Sequence, residues 1–258
     1  MKIVEDLTLR AFIDRALKEG RSPESISGRL KHYEKTINYV SKEGIKTYLS
    51  SVYGRQIEVL RKHLFSQTRN KKRAKASKLF DGRTFIEKRP KLATKRMRVG
   101  DAEADFIVSG RLGRGILLTV ADRKTRISFI EMILVPSIRN MEKAFLKIKK
   151  RFPEMKTITT DNDLLFRHHK RLEKLLGVKI YFCHAYSSWE KGTIERTNKE
   201  IRRYISKGSD ISFYSATFVK KVEGTINDRW MRVLEYSSPA ELVEKHRARK
   251  KRRQGAGE

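Results

Sequence analysis

The chain has 258 residues, 38% of them hydrophobic, enough to build one substantial core and a smaller module. Its 60 Lys and Arg against 30 Asp and Glu leave a formal net charge of +30, which points to a polyanionic partner, first of all the phosphate backbone of nucleic acid. A single cysteine, Cys183, excludes an intrachain disulfide and a cysteine-based zinc site. No apolar run approaches the roughly 20 residues that span a bilayer, so a reduced, cytoplasmic, nucleoid-associated protein with no membrane partner is expected.

Residues 1–65 read as an all-α module. Leu9, Phe12, Ile13, Ala16 and Leu17 form an amphipathic stripe; Gly20 breaks it, and Ser22 with Pro23 opens a second helix as cap and first residue. A third helix starts near Ser41, with Ile45, Leu49 and Val52 inward and Lys42, Lys46, Thr47 and Ser50 outward. Three short helices with a basic, hydroxyl-rich last member suit a helix-turn-helix that places Lys42, Lys46 and Thr47 against DNA. A plain three-helix support domain fits the same pattern. Residues 66–98, with "RNKKRAKASK" and "EKRPKLATKRMR", are basic and nearly free of apolar periodicity, as a linker would be.

From residue 99 the period changes. "AEADFIVSG", "GILLTVAD" and "RISFIEMILV" read as an antiparallel meander, followed by a helix capped by Ser137 and ended by Pro153. A short strand "MKTITTD", a helix from Leu164 to Leu176 closed by Gly177, and a strand "VKIYFC" come next, so residues 99–245 form an α/β domain. Residues 246–258, "HRARKKRRQGAGE", read as a disordered basic tail.

Three acids stand out. Asp105 lies inside the first strand, Asp161 at the end of the fourth and Glu195 on the helix after the fifth. Carboxylates on converging rigid elements are what a pair of divalent ions requires for phosphoryl chemistry. Each acid also has an ordinary reading. Asp105 alternates with Glu103 and Ile107, as on a wet sheet face, Asp161 heads "DNDLLF" as a helix cap would, and Glu195 has Lys191 and Lys199 four residues either side. The adjacent His168 and His169 cannot share a metal from one helix and suit the surface. No acid partner is apparent for a Cys183–His184 pair, and there is no phosphate-binding glycine loop.

The segments "GDAEADFIVSG", "TVADRKTRISFI", "TTDND", "GVKIYFCHAYSSWEKGTIERTNKEIRRYI" and "INDRWMRVLEYSSPAEL" together resemble the catalytic domain of insertion-sequence 30 family transposases, and "RSPESISGRLK" resembles that family's second helix-turn-helix. The resemblance implies a ribonuclease H-like fold, a mixed five-stranded sheet with flanking helices. It also implies a DDE triad of Asp105, Asp161 and Glu195 holding two Mg²⁺ or Mn²⁺ ions; 33 residues separate the last two acids, as in the family. DNA contacts are implied for Lys191, Asn198, Lys199 and Arg202, with Trp189 and Gly192 shaping the site. The activity implied is transposition: strand cleavage at the element ends and strand transfer into double-stranded target DNA by a homodimer or higher oligomer. A non-catalytic DNA-binding protein of the same fold, or a nuclease that hydrolyses without joining, are the alternatives.

Overall fold

The computed structural model describes residues 2–64, 82–111, 113–184 and 187–255. It divides into two compact units, Met1–Arg69 with Asn227–Glu258, and Asn70–Ile226. The first begins with α1 (Lys2–Glu5), α2 (Leu7–Lys18), α3 (Pro23–His32), α4 (Lys42–Ser50) and α5 (Arg55–Leu64). The side chains of Asp6, Ser22 and Ser41 each accept a backbone N–H three residues on, so α2, α3 and α4 start at true N-caps. Leu9, Ile13, Leu17, Ile26, Ile45 and Tyr48 are fully buried in their shared core. One expected core position differs: Val52 is 84% exposed, because α4 ends at Ser50 and the chain turns extended at Ser51. Tyr48 takes the inward place and donates its hydroxyl to Asp14 at 2.7 Å.

The second unit is a five-stranded sheet of β1 (Asp101–Val108), β2 (Ile116–Asp122), β3 (Ser128–Ile133), β4 (Thr157–Thr160) and β5 (Lys179–Phe182). The strand order is β3-β2-β1-β4-β5. The first three strands form the expected antiparallel meander, and β4 and β5 add in parallel, giving the mixed sheet of a ribonuclease H-like core. The flanking helices are α6 (Lys91–Thr94), α7 (Ile138–Arg151), α8 (His169–Leu176), α9 (Gly192–Ile201) and α10 (Ala216–Asn227). Alternation along β1 sorts them by face. Phe106 meets Phe166, which in turn touches Phe145 of α7, whereas Ile107 packs with Ile201 of α9 and Ile226 of α10. Glu103 and Asp105 share the face of Ile107. Burying one such isoleucine contributes about 1.5–3 kcal/mol, so the apolar side of α9 fixes its rotation over β1.

The second half of the expected linker is part of this unit. Phe182 N donates to Thr84 O at 2.9 Å, Phe85 pairs in parallel with Phe182, and buried Arg89 donates to Thr159 Oγ1 at 3.1 Å. The segment therefore covers the open edge of β5, where unpaired backbone groups would otherwise be left. Residues 66–81 of that linker lie outside the described residues. The helix expected over Leu164–Leu176 begins as a 3-10 turn, Leu164–His168, before α8, and Gly177 closes it at φ 62°. His169 is buried edge-on against Phe182 rather than at the surface.

Two boundaries near the end also move. Residues from Asn227 onward group with the N-terminal helices, not with the sheet. Trp230 stacks on Phe12, centroids 5.8 Å apart, under the guanidinium groups of Arg21 and Arg29 at 4.8 and 4.9 Å. The last helix, α11 (Pro239–Gly255), starts in a capping box: Ser238 and Glu241 exchange side-chain to backbone bonds, and Glu241 pairs with Arg29. It continues through the stretch expected to be a disordered tail, because Lys, Arg, Ala and Gln favour helix and no Gly or Pro interrupts them before Gly255. Among the described residues no helix is long and apolar enough to cross a membrane.

Trp230→Ala removes the stacked anchor of the returning segment and is expected to destabilise the first unit by about 2–3 kcal/mol in urea unfolding. Unchanged stability contradicts the anchoring role.

Candidate active site

Strand pairing brings the first two acids together. The parallel β1–β4 ladder ends with Glu103 opposite Thr159, two residues before Asp105 and Asp161 respectively, so both acids leave the same end of the pairing. Their carboxylates converge on one cation, the Lys191 ammonium: Nζ is 2.9 Å from Asp161 Oδ2 and 3.3 Å from Asp105 Oδ1. The Lys191 side chain is 8% exposed, against 23% for Asp105 and 44% for Asp161, so the pair opens to solvent on the Asp161 side. The other Asp105 oxygen accepts from Asn198 Nδ2 at 2.8 Å. Thr119 Oγ1 lies 2.9 Å from Asn198 Oδ1 and 3.0 Å from the Asp105 carbonyl, which fixes the amide with its NH₂ toward the carboxylate.

Electrostatics follow the geometry. Burial pushes the Asp105 carboxyl above its ordinary value; the nearby Lys191 charge opposes this and Asp161 adds to it. Burial alone would lower Lys191, yet Asp105 and Asp161 together hold it above the usual lysine value, so it stays charged. Glu195, one helical turn after Lys191, is also raised by burial; Lys191 and Lys199 oppose that shift, and the negative charges of Asp105 and Glu103 reinforce it. Glu195 is thus within electrostatic reach of Asp105. Among the described residues, however, no three His, Cys, Asp or Glu side chains are gathered closely enough to hold a metal ion. The centre consists of two aspartates around a lysine, with Glu195 within electrostatic reach of Asp105.

Glu103 is the residue whose part the sequence hid. It is fully buried; Oε2 accepts the backbone N–H of both Thr193 and Ile194 at 2.9 Å, and Oε1 pairs with Arg123 at 3.1 Å. The first turn of α9 has no side-chain cap of its own. A carboxylate from β1 supplies one, satisfying two orphan donors and meeting the positive end of the helix. One strand therefore carries both the first aspartate and the clamp on the helix bearing Glu195 and Asn198. The signal was an acid two places before Asp105 in an apolar strand, which also suits a wet sheet face.

The expected DNA contacts separate. Lys191 and Asn198 join the carboxylates, and Lys199 is exposed on α9. Arg202 is tied to backbone carbonyls of Ser206 and Val108, both at 3.1 Å. Lys42, Lys46 and Thr47 lie on α4 in the other unit: Lys46 pairs with Glu43 at 3.1 Å and Thr47 donates to the Glu43 carbonyl. Trp189 is 76% exposed and is not a core anchor. His184 does have acid partners, Glu87 at 2.9 Å from a distant segment and Glu190 at 3.0 Å from six residues further on. Burial pushes the Cys183 thiol up to about 12, which removes it as a nucleophile.

Glu103→Ala leaves two helix N–H groups without their acceptor and Arg123 without its ion-pair partner, and is expected to cost about 3 kcal/mol or more in urea unfolding. Glu103→Gln, which keeps an oxygen for the helix, is expected to cost less. An alanine variant as stable as the parent contradicts the clamp.

No family model matches the chain. It is 33% identical over 243 residues to the transposase for insertion sequence element IS4351 of Bacteroides fragilis, covering 90% of this chain and 72% of that protein. With transposase InsI for insertion sequence element IS30A of Escherichia coli (strain K12) it shares 29% over 259 residues, covering 93% of this chain and 66% of that protein. The catalytic core domain of BIV integrase overlays 57% of this chain and 96% of its own at 14% identity, with a TM-score of 0.46. The similarities to these insertion-sequence transposases, which run over nine-tenths of the chain, show that it belongs to the insertion-sequence 30 family of transposases.

Proposed function

We propose that this chain cuts and joins DNA strands as a DDE transposase dependent on divalent metal, with Asp105, Asp161 and Glu195 as its carboxylates. The observation that carries this reading is the convergence of Asp105 and Asp161 on a single cationic position. Their hard carboxylate oxygens fit Mg²⁺ or Mn²⁺, and the charge of Glu195 acts on the same place. When bound, a pair of such ions activates water and stabilises charge on the phosphoryl group.

The protein's own part is to position. Asn198 fixes the Asp105 carboxylate, leaving its other oxygen turned to the shared position. Glu103 holds the start of α9, so that Glu195 keeps its distance from β1. The excess of basic residues, with Lys199 exposed beside the centre and Lys42, Lys46 and Thr47 on α4, draws the DNA backbone in. Water attacks a phosphodiester at the element end and releases a 3′-hydroxyl. That hydroxyl then attacks a target phosphorus, forming the new 3′-oxygen–phosphorus bond as the target's own is broken. Two element ends call for at least a dimer, acting where the DNA is, in the nucleoid.

Asp161→Asn is expected to lower Mg²⁺-dependent cleavage of DNA carrying the element ends by about a thousandfold or more. DNA affinity and its steep fall with salt are expected to persist, because the phosphate contacts are untouched. Unchanged cleavage contradicts the assignment of Asp161, and cleaved ends that never join to target DNA favour a nuclease.

A further inference from the structure

Lys191 occupies the place that a metal ion would take. We propose that it is a built-in counter-cation: in the metal-free protein its ammonium holds Asp105 and Asp161 together, and it must leave that position as a metal ion enters. This rests on the reading of the two aspartates as metal ligands.

Three observations carry it. First, one Nζ lies within 3.3 Å of an oxygen of each aspartate, and a divalent ion sits only about 2.0–2.1 Å from such oxygens. Both cations would share the same oxygens at a separation where their charges repel strongly, so occupancy is exclusive. Second, two ionised carboxylates side by side repel, and a buried ammonium between them relieves that repulsion with no metal present. Lys191 is itself buried, so its position is built into the fold and is not one of many states of a surface lysine.

Third, the chain around Lys191 allows it to leave without disturbing the rest of the centre. Glu103 pins the backbone N–H groups of Thr193 and Ile194, so α9 and Glu195 stay in place. Lys191 ends the 3-10 turn Ser188–Lys191 just outside that clamp, and its ammonium is held by Asp105 and Asp161 beside the solvent-open Asp161 carboxylate. Moving the ammonium therefore breaks its bonds to the two aspartates and leaves the Glu103 clamp intact, and the freed ammonium is a ready contact for a DNA phosphate. Metal entry and phosphate binding then favour one another, since each takes up what the other releases.

The test is Mn²⁺ binding to the full chain without DNA, followed by electron paramagnetic resonance, for the parent, Lys191→Met, Lys191→Arg and Asp161→Asn. Met keeps the aliphatic stem and removes the charge. The expected result is Mn²⁺ affinity raised about tenfold or more in Lys191→Met, near the parental value in Lys191→Arg, and lost in Asp161→Asn. Metal-free Lys191→Met is also expected to melt below the parent and to recover more of its melting temperature on adding Mn²⁺. Affinity in Lys191→Met that equals or falls below the parent's, in a variant that circular dichroism shows to be folded, overturns the counter-cation. If Asp161→Asn binds Mn²⁺ as the parent does, the metal-ligand reading itself fails, and that outcome is distinct from the first.

Discussion

Two carboxylates set side by side by the parallel pairing of β1 and β4 impose the central constraint on this molecule. Asp105 and Asp161 owe their proximity to backbone register, so the fold fixes them however unfavourable their mutual repulsion. A cation between them relieves that repulsion. In the free chain it is Lys191, whose charge is kept by the same two acids that surround it. The surrounding polar network follows from holding this group steady: Asn198 orients one aspartate, Thr119 orients Asn198, and Glu103 ties α9 to the strand. The alternation of β1 places the helix clamp, the lysine-paired aspartate and the core contact at Glu103, Asp105 and Ile107, three consecutive positions on one face.

The chain order separates what the fold groups. The N-terminal helices and the segment from Asn227 onward form one unit, and the sheet unit lies between them in sequence. Trp230, shared by Phe12 and two arginines, and the capping box of Ser238 and Glu241 give the first unit a core and a well-defined start to α11. Beyond Glu244, α11 has only basic and neutral side chains, so its like charges repel at low salt and are relieved by phosphate.

The sheet was legible in the sequence because its strands have strong apolar runs broken by turn residues, and because the segments around the three acids carry a family pattern. The helix caps at Ser22, Ser41, Ser137 and Gly177 were legible for local reasons: each needs only a hydroxyl or a glycine at one place. What was hidden depends on distant partners. Glu103 looks like a solvated acid until α9 is laid across it. His184 gains a second acid, Glu87, from the segment covering β5, beside Glu190 six residues on in its own chain segment. The attachment of residues 82–98 to that edge, and of Trp230 to Phe12, could not be read from composition, since a basic stretch with few apolar residues looks the same tethered or docked. The proximity of the two aspartates is legible in the strand pattern; the lysine between them is not, because in sequence Lys191 is nearest to Glu195, whereas in space it faces the two aspartates.

On this reading the position between Asp105 and Asp161 is a metal site held in reserve by Lys191. A crystal of the chain grown with Mn²⁺, measured at the manganese absorption edge, tests it most directly. The account predicts an anomalous peak between the two aspartates, with the Lys191 side chain turned away and α9 still clamped by Glu103. A peak elsewhere, or an ammonium still between the carboxylates at saturating Mn²⁺, would contradict it.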